Sequence, residues 1–110
     1  MKASVERGEL VTLDRCDTVI DGLRVKRVGR HTFDLVRRHV DEIATVPDAA
    51  IFANVLWLMS RTKLVVEGAA AAPVAALRSG ALTLPRGTKV ACVLSGGNLD
   101  FAVLEGRTFN

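Results

Sequence analysis

The chain has 110 residues, room for one domain, and its 49% hydrophobic and 25% charged residues exclude a disordered or collagen-like polymer. Aromatic residues make up only 5% and Tyr is absent, so a core must be built from Val, Leu, Ile and Ala. A net charge of +3 is too small to argue for nucleic acid. The longest apolar run, residues 49–59, is broken by Asn54 and falls short of the roughly 20 residues a membrane span needs.

The pattern predicts elements in the following order. Residues 3–8 read as a helix stopped by Gly8, and residues 11–13 as a short extended piece. Residues 17–22 (Asp-Thr-Val-Ile-Asp-Gly) suit a turn or a single helical turn. Residues 24–28 fit an edge strand or an extended loop. From Thr32 to Val40, Phe33, Val36 and Val40 recur at helical spacing, with Thr32 as N-cap. Residues 41–46 then read as a strand, and Pro47-Asp48 opens the clearest helix of the chain. Ile51, Phe52, Val55, Leu56, Leu58 and Met59 cover more than half of its circumference, so that helix needs packing on two sides. An alanine-rich helix over residues 69–79 is closed by Gly80, with Pro73 tolerable only near its start or at a kink. Residues 89–94, uninterruptedly apolar after Lys89, are expected as a strand buried on both faces. Residues 95–98 (Ser-Gly-Gly-Asn) are its exit loop, and residues 99–104 begin a last helix. Helix alternating with buried strand gives an α/β class, part of a parallel or mixed sheet flanked by helices.

Cys16 and Cys92, far apart in the chain, make neither a metal spacing nor a disulfide framework; reduced thiols and the cytoplasm are the expectation. No apolar leader follows Met1. Between Arg24 and His39 there are six Lys or Arg and two His against the one acid Asp34. Without interleaved aromatics this is a solvated basic face or a surface for an acidic partner, not a nucleic-acid reader.

Two places carry chemistry. Ligands of open α/β sheets collect at the carboxyl ends of strands, and at the end of the 89–94 stretch stand a hydroxyl, Ser95, and Gly96-Gly97, which let backbone come close to a ligand. An ordinary strand-to-helix turn has the same composition. The second place is Glu67, the only charge between Leu64 and Leu77. It is either buried with a partner or sits at the positive end of the following helix. His31, His39, Asp34 and Cys16 form no nucleophile–base–orienter set. Neither a zinc nor a P-loop nor a dinucleotide fingerprint is present.

With their flanks, these places resemble the carboxyl-terminal part of threonine and serine dehydratases. These are pyridoxal-phosphate enzymes of the tryptophan-synthase-β group, fold type II. The resemblance runs through residues 17–22, 40–46, 63–69 (Lys-Leu-Val-Val-Glu-Gly-Ala) and 89–98 (Lys-Val-Ala-Cys-Val-Leu-Ser-Gly-Gly-Asn), in the family's order. It implies that Ser95 partners the pyridine nitrogen of pyridoxal phosphate, that Gly96, Gly97 and Asn98 shape the wall beside the ring, and that Glu67 lies near it. It also implies that residues 1–110 are one partial domain, the carboxyl-terminal segment of a catalytic domain. None of Lys2, Lys26, Lys63 and Lys89 has the Ser-Phe-Lys context of the family's Schiff-base lysine, so no catalytic residue and no metal ligand is assigned here. The partner is then the preceding part of the same enzyme, which carries that lysine, together with a small amino-acid substrate; a homo-oligomer is compatible with this. The chain alone is expected not to catalyse dehydration. Ala70, where the family has glycine, and Pro73, where alanine is common, are departures. The alternative is a stand-alone or split-enzyme interaction module, whose warrant is the over-apolar 51–59 helix.

Overall fold

A computed structural model describes residues 1–108. Four helices carry the fold: α1, Lys2–Arg7; α2, Arg30–His39; α3, Asp48–Thr62; and α4, Gly68–Arg78. Short 3-10 turns occupy Asp21–Leu23 and Phe101–Leu104. The molecule is a slab of 40 × 36 × 19 Å, so its thin dimension holds little more than one layer of helices and the segments lying on it.

Helix α3 starts where the sequence says it must. Pro47 holds an extended N-cap conformation (φ −63°, ψ 143°), and Asp48 places a carboxylate in the first turn, where the helix dipole favours it. The helix ends on Lys63, which adopts the left-handed conformation at φ 62°, a geometry that costs a non-glycine residue about 1 kcal/mol or more. Helix α4 lies against α3 through its smallest side chains. Ala70, Ala71 and Ala75 are fully buried, and with them Ile51, Phe52, Val55, Leu58, Val66 and Ile20 form the core. Alanines let two helix backbones approach closely, and each large apolar side chain fully buried there contributes about 1.5–3 kcal/mol. Pro73 stands inside α4, past the first turn, where it removes one helical hydrogen bond.

Helices α1 and α2 pack together apart from that core. Phe33 is buried on the inner face of α2, and Ser4 of α1 is buried with its Oγ accepting from the Val11 amide at 3.1 Å. Gly8 closes α1 at φ 74°, its amide donating back to the Ser4 and Val5 carbonyls. Thr12 and Arg27 form one antiparallel bridge, beside which the Leu13 amide donates to the Lys26 carbonyl at 2.9 Å.

Several expectations need correction. Residues 41–46 and 89–94 are not assembled into strands: among the described residues the Thr12–Arg27 contact is the only β-bridge. A stretch of Val and Leu becomes a buried strand only when neighbours lie on both edges and faces, and here Val90 and Val93 stay 49% and 72% exposed. The sheet of the expected α/β class is therefore absent from the described residues. Thr32 is not the N-cap of α2; Gly29 holds that place and the helix begins at Arg30. The last helix is a 3-10 turn, capped by Asp100 Oδ1 accepting from the Ala102 amide. Helix α3 does receive its two-sided packing within the chain, since Ile51, Phe52, Val55, Leu56 and Leu58 are all buried. None of the exposed large hydrophobic side chains lies on this helix, so the helix itself offers no apolar face for the interaction-module alternative. No described helix is long and apolar enough to cross a membrane.

Candidate functional site

The core helices set Glu67 at a junction. It is the N-cap residue of α4 (φ −74°, ψ 166°) and is half-buried; its carboxylate caps none of the helix amides. Its own amide donates to the Gly96 carbonyl at 3.1 Å, which fastens residues 94–97 alongside residues 64–67. The side chain then lies directly over Gly96: a Cβ added there would meet Glu67 Oε1 at 2.7 Å and Cδ at 2.9 Å. Gly97 has a little more room, with the Val65 carbonyl oxygen 3.0 Å from where its Cβ would stand. Gly97 is thus confined by the backbone of the 64–67 segment, and Gly96 by the movable end of the Glu67 side chain.

A third segment closes on the same point. Ile20, buried, presses on Gly68, where an added Cβ would come within 2.9 Å of Ile20 Cγ2. Gly22 abuts Ala69 and faces Glu67 Oε1. Residues 19–22, 67–69 and 98–100 together enclose a crevice of about 90 Å³, with Phe52 and Val103 also on its walls. Arg107 lies over the Phe52 ring, 4.0 Å from its centroid, and its Nε donates to the Val103 carbonyl, which ties residues 101–107 onto α3.

Of the residues expected at a site, Glu67 and Asn98 line the crevice, and Gly96 lies under the Glu67 carboxylate. Ser95 does not line it. It is exposed, one residue beyond the half-buried Leu94. The expectation that Glu67 stands at the positive end of a helix is met, since it precedes the first residue of the 11-residue α4. Sequence reasoning gave no site role to Ile20, Asp21, Gly22, Gly68 or Asp100. The signal for the first four was present, because residues 17–22 and 63–69 belong to the resemblance given above.

The charge of this place limits what it can hold. Asp21, Glu67 and Asp100 are on its walls and no Lys or Arg is, so a phosphate is repelled there. At about 90 Å³ the crevice is also well below the several hundred Å³ of a typical cofactor pocket. Outside the crevice, the exposed Ser95 offers a neutral hydroxyl, and Asn98 brings an amide to the crevice wall.

A family model described as pyridoxal-phosphate dependent enzyme matches residues 1–96. The L-threonine ammonia-lyase of Geobacter sulfurreducens is 43% identical over 102 residues, which cover 93% of this chain and 25% of that protein. That of Thermotoga maritima is 40% identical over 105 residues, covering 96% and 26%. Among solved structures, the T.th. threonine deaminase superposes with a TM-score of 0.81 at 40% identity, over 91% of this chain and 33% of the other. Maize serine racemase gives 0.80 at 30% identity, over 93% and 33%. The chain therefore spans about a quarter of the length of these curated relatives. With nearly its whole length matched, this chain belongs to the pyridoxal-phosphate-dependent enzymes, in the fold type II group of threonine deaminase and serine racemase.

Proposed function

We propose that this chain is the segment of a threonine or serine dehydratase that faces the ring of pyridoxal phosphate, its Ser95 hydroxyl meeting the pyridine nitrogen. The observation that carries the reading is the convergence of residues 19–22, 67–69 and 96–98 on the Glu67 carboxylate. Three segments far apart in the chain meet there, next to an exposed serine at the end of the 89–94 stretch. When bound, pyridoxal phosphate supplies the electron sink for loss of the α-proton and then of the β-hydroxyl from a hydroxylated amino acid.

The chain's own residues would do the following. Ser95 Oγ–H donates to the ring nitrogen and leaves it unprotonated, where an aspartate would hold it as a cation. Elimination tolerates the weaker sink because a leaving group departs from the adjacent carbon. Gly96 and Gly97 keep side chains away from the wall beside the ring, and Asn98 orients there by its amide. Glu67, held by its backbone bond to Gly96 and by the packing of Gly22 and Gly96, places a carboxylate beside that wall. On this reading the lysine that binds the cofactor and the group that holds its phosphate lie in the remainder of the enzyme. Residues 1–110 are then one partial catalytic domain, and the remaining part of the enzyme is its partner.

The test is a chimera. The matching 102 residues of the Geobacter L-threonine ammonia-lyase are replaced by this chain, and 2-oxobutanoate release from L-threonine is followed. Retained activity, falling about 5- to 150-fold with Ser95→Ala, is expected from leaving the ring nitrogen without a partner, a cost of roughly 1–3 kcal/mol. A chimera whose activity ignores Ser95→Ala refutes the role of the hydroxyl. The chain by itself is expected to release no 2-oxo acid.

A further inference from the structure

One carboxylate outside the crevice is hydrogen-bonded to the segment that leads into one of its walls. Asp48, the first residue of α3, accepts from the Thr18 hydroxyl through Oδ1 and from the Val19 amide through Oδ2, both at 2.8 Å. Thr18 Oγ1 in turn accepts from the Ile20 amide at 3.1 Å. Three consecutive residues are thus hung from a single side chain some 30 positions away. A carboxylate is the group that can accept two donors at once while sitting on the N-terminal turn of a helix, where its charge is favoured. Val19 is exposed, at 63%, so packing does not hold the loop at this point. Beyond it the chain enters the crevice: Ile20 presses on Gly68, and Gly22 on Ala69 and Glu67.

We propose that Asp48 is a positioning residue of the crevice, holding residues 18–22 against the Glu67–Gly68 junction so that Glu67 keeps its place over Gly96. The relevance of this to catalysis rests on the cofactor reading above; the positioning itself does not. Asp48 does not itself line the crevice, although Val19, from whose amide it accepts, does. It acts through Thr18 and Val19, and the contacts run from Asp48 to Val19, Ile20 and Gly22, and then to Glu67 and Gly96.

The experiment uses the 110-residue chain, labelled for nuclear magnetic resonance, with Asp48→Ala, Thr18→Val and Thr18→Ser. The expected result is slow amide exchange at Val19 in the parent, despite its exposure, and exchange about tenfold faster or more in Asp48→Ala. Gly22 and Gly96 amide resonances should shift in Asp48→Ala and Thr18→Val and return to the parent positions in Thr18→Ser, which keeps the hydroxyl. Trp57 emission, a reporter of the α3–α4 core, should stay unchanged; if Asp48→Ala does not fold, the Thr18 pair carries the comparison. An unprotected Val19 in the parent, or Gly22 and Gly96 resonances indifferent to all three substitutions, overturns the proposal. The cofactor reading is tested apart, in the ammonia-lyase chimera: should its cofactor absorption and its activity ignore Ser95→Ala while the dependence on Asp48 stands, the cofactor reading fails and the positioning role survives.

Discussion

Gly22 is the position where adding one methyl group tests the packing most directly. Its Cβ would stand 2.7 Å from the Ala69 Cβ, against the 3.5–4.0 Å of a normal carbon contact. Ala69 has no rotamer to change and is fixed in the first turn of α4. Relief therefore requires the Asp21–Leu23 turn and the helix to part by about 1 Å. Overpacking of this kind costs roughly 1–3 kcal/mol. The smaller entropy of the unfolded alanine chain offsets about 0.4–1 kcal/mol of that. Gly22→Ala should lose about 1–2 kcal/mol net, a fall in Tm of roughly 4–8 °C for a domain of this size. Circular dichroism and Trp57 emission during a thermal ramp measure it. Gly29→Ala is the control: its Cβ would find only Thr32 Oγ1, at 3.7 Å, and its backbone at φ −70° accepts alanine, so its Tm should change by less than half as much. A Gly22→Ala protein as stable as the parent, or a control that falls equally far, would refute the packing argument.

Other substitutions are expected to divide by what their neighbours can do. Gly96→Ala meets the Glu67 carboxyl group at 2.7 Å, but that end of the side chain swings; stability should fall by less than about 1 kcal/mol in urea unfolding while the Glu67 resonances shift. Asn54 is buried with Oδ1 lacking any partner, although its Nδ2 donates to the Ala50 carbonyl at 2.8 Å. The similarly shaped Asn54→Leu should raise the urea midpoint by an amount worth about 1 kcal/mol, since a buried orphan acceptor costs roughly 1–3 kcal/mol. Pro73→Ala restores a helical hydrogen bond inside α4 and should stabilise by about 1–3 kcal/mol in the same assay. Arg78 lies over the Trp57 ring at 4.1 Å; Arg78→Ala should cost about 0.5–1 kcal/mol and change Trp57 emission.

The helices were legible because their signals are local. Gly8 and Gly80 stop helices at φ 74°, Pro47-Asp48 starts one, and the apolar spacing of residues 51–58 fixes its buried faces. Thr32 misled because a capping residue type was placed without a free helix end to cap; the chain turns at Gly29, three positions earlier. The strands failed for a non-local reason. Residues 41–46 and 89–94 have strand-like side chains, but a ladder needs a second backbone in register, and none of the described segments offers one. At the site, Glu67 and the glycine pair stood out as anomalies of composition. Asp21 and Asp48 did not, because one acid among twelve announces nothing until Thr18 and Val19 are seen to converge on it.

The exposed side chains bear on what kind of object this chain is. Leu64, Val65, Val90 and Val93 remain 44–72% exposed. They flank Val66 and Leu94, which do pack on the core. Completing their burial would yield roughly 1 kcal/mol each, about half of the 1.5–3 kcal/mol of a fully buried apolar side chain. Together that is about 4 kcal/mol, comparable to the whole stability of a small domain, roughly 5–15 kcal/mol. These residues sit on the two segments that carry Glu67 and Ser95, one on each side of the Glu67–Gly96 hydrogen bond. A partner that covered the apolar residues would therefore also settle the backbone from which the candidate site hangs. Such coupling makes a specific demand. Valine-to-serine changes at Val90 and Val93, both exposed here, should leave the melting of this chain nearly unchanged. In the ammonia-lyase chimera the same changes should lower stability and activity together. If they affect the chimera no more than the chain, those residues face solvent in both and the missing-sheet explanation of residues 89–94 is wrong.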